Sequence, residues 1–305
     1  MGNCERTIHK KVFNLLLLCG ALAVSFSLAY PQENASQQKS FFWTVRSKAC
    51  TVHILGSVHA LNRELYPLPK KIEDAFDQSD ALAVEADINE INPETMMTML
   101  DGAFYPDNDS LENHLSRETY ELSAKKLQEV GLPIELFQKN KPWFLASIIT
   151  VLDLHKLGFD PDYGIDKYFL KKAEGKKRII ELEGSDYQMR LLSGLSDAEQ
   201  ELFLRSTLID SAVLKEEMGA IIKAWSAGDT KAVESLLTRS LREDPEMLSV
   251  YERLIDERNK QMASKIEGLL QTKSTSFVVV GAGHLVGTKG IIELLKKRGY
   301  LVEQR

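Results

Sequence analysis

Two histidines each stand three residues after a glycine, at opposite ends of the chain. Gly56-Ser57-Val58-His59 follows one apolar segment, and Gly281-Ala282-Gly283-His284 follows another. A glycine directly after a buried strand lets the backbone turn sharply and admits a ligand close to the chain. An imidazole on such a loop can bind a metal ion or act as a general base. His59 and His284 are therefore candidate site residues.

Glu85 supplies a carboxylate that would complete a metal site. It ends an apolar segment that follows the first Gly-x-x-His loop and a predicted helix, so we expect it at the same sheet edge as His59, one strand over. Two imidazoles and a carboxylate are a common catalytic metal set that leaves positions open for water. Water bound there loses a proton near neutral pH. This donor set suits Zn, Mn, Co and Fe alike, so the metal's identity stays open.

Short apolar segments predict the strands that position these groups. They are Phe41 to Arg46, Cys50 to Leu55, Ala81 to Glu85, Arg178 to Leu182, Phe277 to Val280 and Tyr300 to Glu303. Each end of the chain reads as strand, Gly-x-x-His loop, helix and strand, which is a βαβ unit. Right-handed crossovers put both loops at the carboxyl ends of parallel strands, where open α/β sheets bind ligands.

The predicted fold is α/β, with a central mixed sheet built from two βαβ units plus an N-terminal hairpin. A large helical insert, over about residues 92–270, separates the two units. Residues 41–305 are expected to form a single domain, since 44% hydrophobic content in 305 residues is ample for one core and marginal for two.

The first 40 residues are typical of an exported protein. Arg6, Lys10 and Lys11 precede an apolar run from Val12 to Leu28, and Ala29 ends a small-x-small cleavage pattern. We expect a signal peptide over residues 1–29, cleaved near Ala29, and a flexible lead-in over residues 30–40. The mature chain is then periplasmic or secreted and has no membrane span. An uncleaved N-terminal anchor is the competing interpretation.

The net charge argues against one class of partner, and the cysteine count excludes one kind of crosslink. The net charge is −6 without a clustered basic run, which argues against a nucleic-acid partner because phosphate neutralisation needs grouped Lys and Arg. Cys50 is the single cysteine of the expected mature chain, so an internal disulfide is excluded there. The oligomeric state stays open.

Taken together, these motifs resemble the TraB/PrgY/GumN family, which includes the Tiki metalloproteases. The matching segments occur in the expected order: Gly56 to His59, Glu85 after its strand, Gly164-Ile165-Asp166, Leu182-Glu183-Gly184, Glu257-Arg258-Asn259 and Val280 to Leu285. The final stretch through Lys297-Arg298-Gly299-Tyr300 looks most like the bacterial GumN-type branch.

The resemblance implies a divalent-metal-dependent hydrolase, peptidase-like, that uses Mn, Co or Zn. His59, Glu85 and His284 would be its metal ligands. The resemblance also implies that Arg258 and Asn259 are supporting polar groups near the site and, with Glu183, candidate catalytic residues. Glu183 would be either a partner of the ligands or the general base. The substrate, a peptide or a small molecule, is not identified.

Two other functions remain open at this stage. An exported protein could bind and sequester a peptide or haem with the same two histidines, without turnover, so enzymatic activity itself stays open. The segment from Gly281 to Gly287, followed by a helix and a strand that reaches Glu303, is also a loose dinucleotide-binding pattern.

Overall fold

A computed structural model describes residues 39–88, 93–211 and 213–305 of the chain. The expected signal peptide (residues 1–29) and residues 30–38 of the expected lead-in lie outside these ranges. Asn92, at which the helical insert was expected to begin, also lies outside them. Within the described ranges, we find no helix whose length and apolar content would let it span a bilayer.

Six strands form one mixed sheet in the described part of the chain. They are β1 (Phe42–Arg46), β2 (Thr51–Ser57), β3 (Ala81–Val84), β4 (Arg178–Glu181), β5 (Ser276–Gly281) and β6 (Leu301–Gln304). Their order is β4-β3-β5-β2-β1-β6. The four strands from β4 to β2 are parallel, whereas β1 is antiparallel to β2 and to β6. The α/β class and the N-terminal hairpin are confirmed.

The two βαβ units are interleaved rather than side by side. Strand β5 lies between β2 and β3, and β6 pairs with β1 at the far edge instead of with β5. The expectation that Glu85 lies one strand from His59 was therefore wrong, because it lies two strands away. An apolar run predicts that a parallel strand is buried, but it carries no information about which buried strand is its neighbour.

Helices fill the region between β3 and β5, apart from β4. In the described ranges, one further α-helix precedes β3, and another follows β5. In chain order the α-helices are α1 (Lys70–Asp77), α2 (Pro93–Ala103), α3 (Arg117–Gln128), α4 (Pro142–Lys156), α5 (Ile165–Ala173), α6 (Ser185–Ser193), α7 (Asp197–Asp210), α8 (Leu214–Ser226), α9 (Thr230–Leu237), α10 (Arg239–Glu243), α11 (Leu248–Tyr251), α12 (Glu257–Leu270) and α13 (Ile291–Lys297). A π-helical segment, Glu252–Asp256, joins α11 to α12. The predicted helical insert is thus present and also contributes an edge strand.

An aromatic cluster attaches the helices to the centre of the sheet. The ring of Phe277 on β5 lies 5.5 Å from that of Phe76 on α1 and 4.8 Å from that of Phe169 on α5. Phe42 on β1 is 6.0 Å from the same ring. Because α5 begins at Ile165, this packing also fixes the position of Asp166 in its first turn.

Replacing Phe277 by alanine should cost about 3–5 kcal/mol of unfolding free energy, because its side chain is fully buried and the change leaves a cavity among the other rings. Chemical denaturation measures this. Leu301→Ala, on an edge strand and 57% exposed, is the control and should change stability by about 0.5 kcal/mol or less. Equal losses in the two variants would contradict the assignment of Phe277 to the core.

Candidate functional site

His59 lies two residues beyond β2 and is held by a carboxylate from the insert. Its Nδ1 is 3.0 Å from Oδ1 of Asp166, and the Ser57 hydroxyl donates to the same oxygen at 2.7 Å. All three side chains are buried. A carboxylate at this distance keeps the proton on Nδ1, so that Nε2 carries the lone pair in the neutral ring.

His284 lies in the 3-10 turn Ala282–Leu285 that follows β5, and an amide from α12 holds it in the same way. Its Nδ1 is 2.7 Å from Oδ1 of Asn259. The amide nitrogen of Asn259 donates to the carbonyl of Lys289 at 3.1 Å, which directs Oδ1 toward the imidazole. Nδ1 of His284 is therefore the protonated nitrogen, and Nε2 carries the lone pair and lies 3.9 Å from Oε1 of Glu85.

Glu85 follows β3, and both of its oxygens accept hydrogen bonds. Oε1 accepts the backbone N–H of Gly281 at 2.6 Å. Oε2 accepts Nη2 of Arg258 at 2.6 Å and the amide of Gln188 at 3.2 Å. The carboxylate is thus fixed between the end of β5 and two helices of the insert.

Arg258 connects Glu85 to a second buried carboxylate, Glu183. Its Nε lies 2.9 Å from Oε1 of Glu183 and its Nη2 lies 2.8 Å from Oε2, a bidentate pair. Nη1 donates to the carbonyl of Leu254 at 3.1 Å, within the π-helical segment. The side chain of Glu183 is 0% exposed and that of Arg258 is 6% exposed, so one guanidinium balances two desolvated carboxylates.

The three candidate ligands converge on Gly281. A Cβ atom at that position would lie 2.9 Å from Nε2 of His59, 3.3 Å from Oε1 of Glu85 and 3.4 Å from Cδ2 of His284. Gly281 has a φ of −50° and is followed directly by the 3-10 turn Ala282–Leu285, so a left-handed backbone conformation is not what requires glycine at this position. Glycine is needed here because any side chain would fill the space that the three groups share.

The net effect of burial and neighbouring charges is to shift the pKa values of Glu85 and His284 far below their ordinary values. Burial opposes the negative charge of Glu85, but His284, Arg258, His59 and the N–H of Gly281 together hold its pKa at about 2. Burial, reinforced by the positive charge of Arg258, lowers the pKa of His284 to about 3, against the opposing effect of Glu85. At neutral pH the cluster therefore contains an anionic Glu85 and a neutral His284.

The pKa of His59 is shifted in the opposite direction to that of His284. Burial alone lowers the pKa of its imidazole, but the charge and the hydrogen bond of Asp166, with a contribution from Glu85, raise the pKa above its ordinary value of 6.5. The two histidines thus differ in their affinity for a proton, although each sits on the same kind of loop.

The described residues contain no group of three His, Cys, Asp or Glu side chains already close enough to hold a metal ion. The separation of 3.9 Å between His284 Nε2 and Glu85 Oε1 explains part of this, because two ligands with bonds near 2 Å lie about 3.3 Å apart at a tetrahedral angle. His284 Nε2 and Glu85 Oε1 therefore stand slightly further apart than two ligands of one bound ion.

Comparison with known proteins identifies the family. The model of the TraB/PrgY/gumN family matches residues 41–304. The chain belongs to this family. No solved structure gives a significant match.

The relatives within the family include proteins named as metalloproteases. The chain is 28% identical to the uncharacterized protein YbaP of Escherichia coli (strain K12) over 249 residues, which cover 80% of this chain and 87% of YbaP. It is 24% identical to the metalloprotease TIKI1 of Xenopus tropicalis over 317 residues, which cover 87% of this chain and 61% of TIKI1. The chain is also 23% identical to an uncharacterized protein of Treponema pallidum (strain Nichols) over 279 residues, which cover 87% of this chain and 83% of that protein.

The six residues named from the sequence lie in one buried cluster in this member of the TraB/PrgY/gumN family: His59, Glu85, Glu183, Arg258, Asn259 and His284. Sequence reasoning gave no role to three neighbours, Asp166, Ser57 and Gln188, which hold His59 and Glu85 in place. Asp166 stands in the Gly164-Ile165-Asp166 motif of the family, so the sequence did contain a signal that could have identified it. Gln188, inside an ordinary amphipathic helix, gave none.

The dinucleotide alternative is not supported at the Gly281 turn. A pyrophosphate needs free backbone N–H groups at the start of a helix. Here the N–H of Gly281 is donated to Glu85, residues 281–286 are buried, and the following helix begins only at Ile291. The strand that ends near Glu303 also pairs with β1 rather than with β5.

Asp166→Asn should lower the pKa of His59, because it removes the negative charge that offsets burial. Titration of the imidazole resonances by NMR, in chelator-treated protein, measures the change. Glu174→Gln removes an exposed carboxylate just beyond the end of the same helix and should leave the His59 pKa unaltered. A His59 pKa that is the same in wild type and Asp166→Asn would refute the electrostatic role of Asp166.

Proposed function

We propose that this protein is a divalent-metal-dependent hydrolase of peptidase type, with His59, Glu85 and His284 as the metal ligands. The observation that carries the proposal is the convergence of these three side chains on the space beside Gly281. Two relatives named as TIKI metalloproteases support it, at 24% and 23% identity. Because the chain covers 61% of TIKI1, protease activity is transferred here as a proposal.

The donor set fits a divalent ion. Nδ1 of each histidine is engaged by a partner behind it, Asp166 for His59 and Asn259 for His284, so each ring can offer Nε2. Such outer partners are typical of metal-binding histidines, since they fix the tautomer and orient the ring. Glu85 is ionised and retains lone pairs on Oε1 beside its bond from Gly281.

A bound divalent ion would supply Lewis-acid polarisation of a carbonyl and acidification of water. The chain's own residues provide the setting for that chemistry. Arg258 keeps Glu85 oriented and charged, and Asp166 keeps a proton on Nδ1 of His59. Glu183 is fully covered by Arg258 and Gln188, which favours a positioning role over that of general base.

The proposal includes export, so the hydrolase would act in the periplasm or outside the cell. The basic and apolar N-terminal pattern that ends near Ala29 supports this. Binding of a peptide or haem without turnover is the second candidate, and the first experiment below separates it from hydrolysis.

Wild-type protein should contain about one divalent ion per chain and hydrolyse labelled casein or p-nitrophenyl acetate. Chelation should abolish the activity, and Mn, Co or Zn should restore it. His59→Ala and His284→Ala should each lose the ion and at least about a hundredfold in rate, because one site needs both rings. Elemental analysis and rate measurements check both expectations, and circular dichroism checks the fold.

His155→Ala is the matched control, since it removes an exposed histidine at the end of α4 and should retain both metal and activity. An ion retained near one per chain in both site variants would exclude a shared metal. Metal bound by wild type without any turnover of either probe would select the binding function instead.

Metal affinity should fall as the pH is lowered through the pKa of His59, which lies above 6.5, because only the unprotonated Nε2 can bind an ion. His284, with a pKa of about 3, should not compete in this range. Calorimetric titration with Zn between pH 8 and pH 5 measures the affinity. A constant affinity over that range would show that His59 is not a ligand.

A further inference from the structure

A cavity of about 400 Å³ lies among helices of the insert, and its lining includes no residue of the Gly281 cluster. It is bordered by α3, by the end of α4, by α7 and by the start of α8. The sequence analysis gave no role to this region, and the proposed hydrolase chemistry does not use it. Its volume is in the range of pockets that hold small molecules.

Positive charge predominates around this cavity. Four lysines line it against two carboxylates, Asp153 and Glu129, although the whole chain carries a net charge of −6. Lys126 is the one neutralised most directly, since its Nζ lies 2.6 Å from Oδ1 of Asp153 and donates to the hydroxyl of Ser211. Lys125 and Lys156 provide the excess positive charge.

Lys125 and Lys156 are exposed at the rim, and neither forms an ion pair with any of the described residues. Unneutralised like charges around one cavity repel each other, and a bound anion relieves that repulsion.

Four leucines contribute apolar surface to the cavity. Leu122 and Leu157 come from α3 and from the end of α4, and Leu208 and Leu214 come from α7 and α8. Small-molecule sites combine such apolar surface with a few polar groups that set orientation. A bare inorganic anion would leave the leucines without a partner, and a neutral apolar molecule would leave the lysines unpaired.

We infer that this cavity binds a small amphiphilic anion, with an apolar chain against the leucines and a carboxylate or phosphate head toward Lys125 and Lys156. The inference stands apart from the proposed hydrolase, since none of the lining residues belongs to the cluster at Gly281.

Calorimetric titration of the full chain with octanoate and with octyl phosphate tests the inference, and the tighter of the two identifies the head group. We expect saturable one-to-one binding of at least one of them. Acetate, inorganic phosphate and 1-octanol, which carry only one half of the chemistry, should each bind at least about tenfold more weakly. The double substitution Lys125→Glu with Lys156→Glu should weaken binding about tenfold or more.

The matched control reverses two exposed lysines elsewhere, Lys171→Glu with Lys176→Glu, and should change the affinity less than about twofold. If charge reversal at the cavity disturbs folding, Lys125→Gln with Lys156→Gln removes the charges more gently, and about a threefold loss is expected. Absence of saturable binding by both octyl anions overturns the inference. So does equal weakening by the cavity and control pairs, or binding of 1-octanol as tight as that of the anions.

Discussion

Strand β5 pairs in parallel with β2 on one side and with β3 on the other, and the candidate site depends on this double pairing. The register sets Ser57 opposite Gly281 and Val84 opposite Val279. The residues just beyond these positions therefore emerge at one edge of the sheet, although they come from the two ends of the chain. His59, Glu85 and His284 meet because a late strand is inserted between two early ones.

The helical insert completes the site, because the partners behind the three candidate ligands come from it. Asp166 on α5 and Asn259 on α12 fix the two imidazoles, while Gln188 and Arg258 hold Glu85. A buried guanidinium between two carboxylates contributes little net stability after desolvation, yet removing one partner leaves an unpaired buried charge. The π-helical segment before α12 supplies the carbonyl that holds Nη1 of Arg258, and such segments often occur at functional sites.

The sequence predicted the strands to within about two residues and pointed to His59, Glu85 and His284, because apolar runs and Gly-x-x-His spacing are local signals. Glu183, Arg258 and Asn259 were added by the family resemblance alone. The sequence failed on the neighbours of β5, since strand order follows from long-range packing that a buried apolar run does not encode. It also missed Gln188, whose role arises only from contacts with Glu85 and Glu183. The sequence suggested two reasons for glycine at position 281, a sharp turn and a close approach. In the structure, glycine is required because a Cβ atom would occupy the space that the three candidate ligands share.

We propose that His59, Glu85 and His284 bind one divalent ion together. Anomalous diffraction from a crystal of the protein loaded with Zn tests this most directly. One strong peak is expected about 2.0–2.2 Å from Nε2 of both histidines and from Oε1 of Glu85, with Nδ1 of each ring still bonded to Asp166 or Asn259. A peak elsewhere, or these three side chains unchanged and without an ion at saturating Zn, would contradict it.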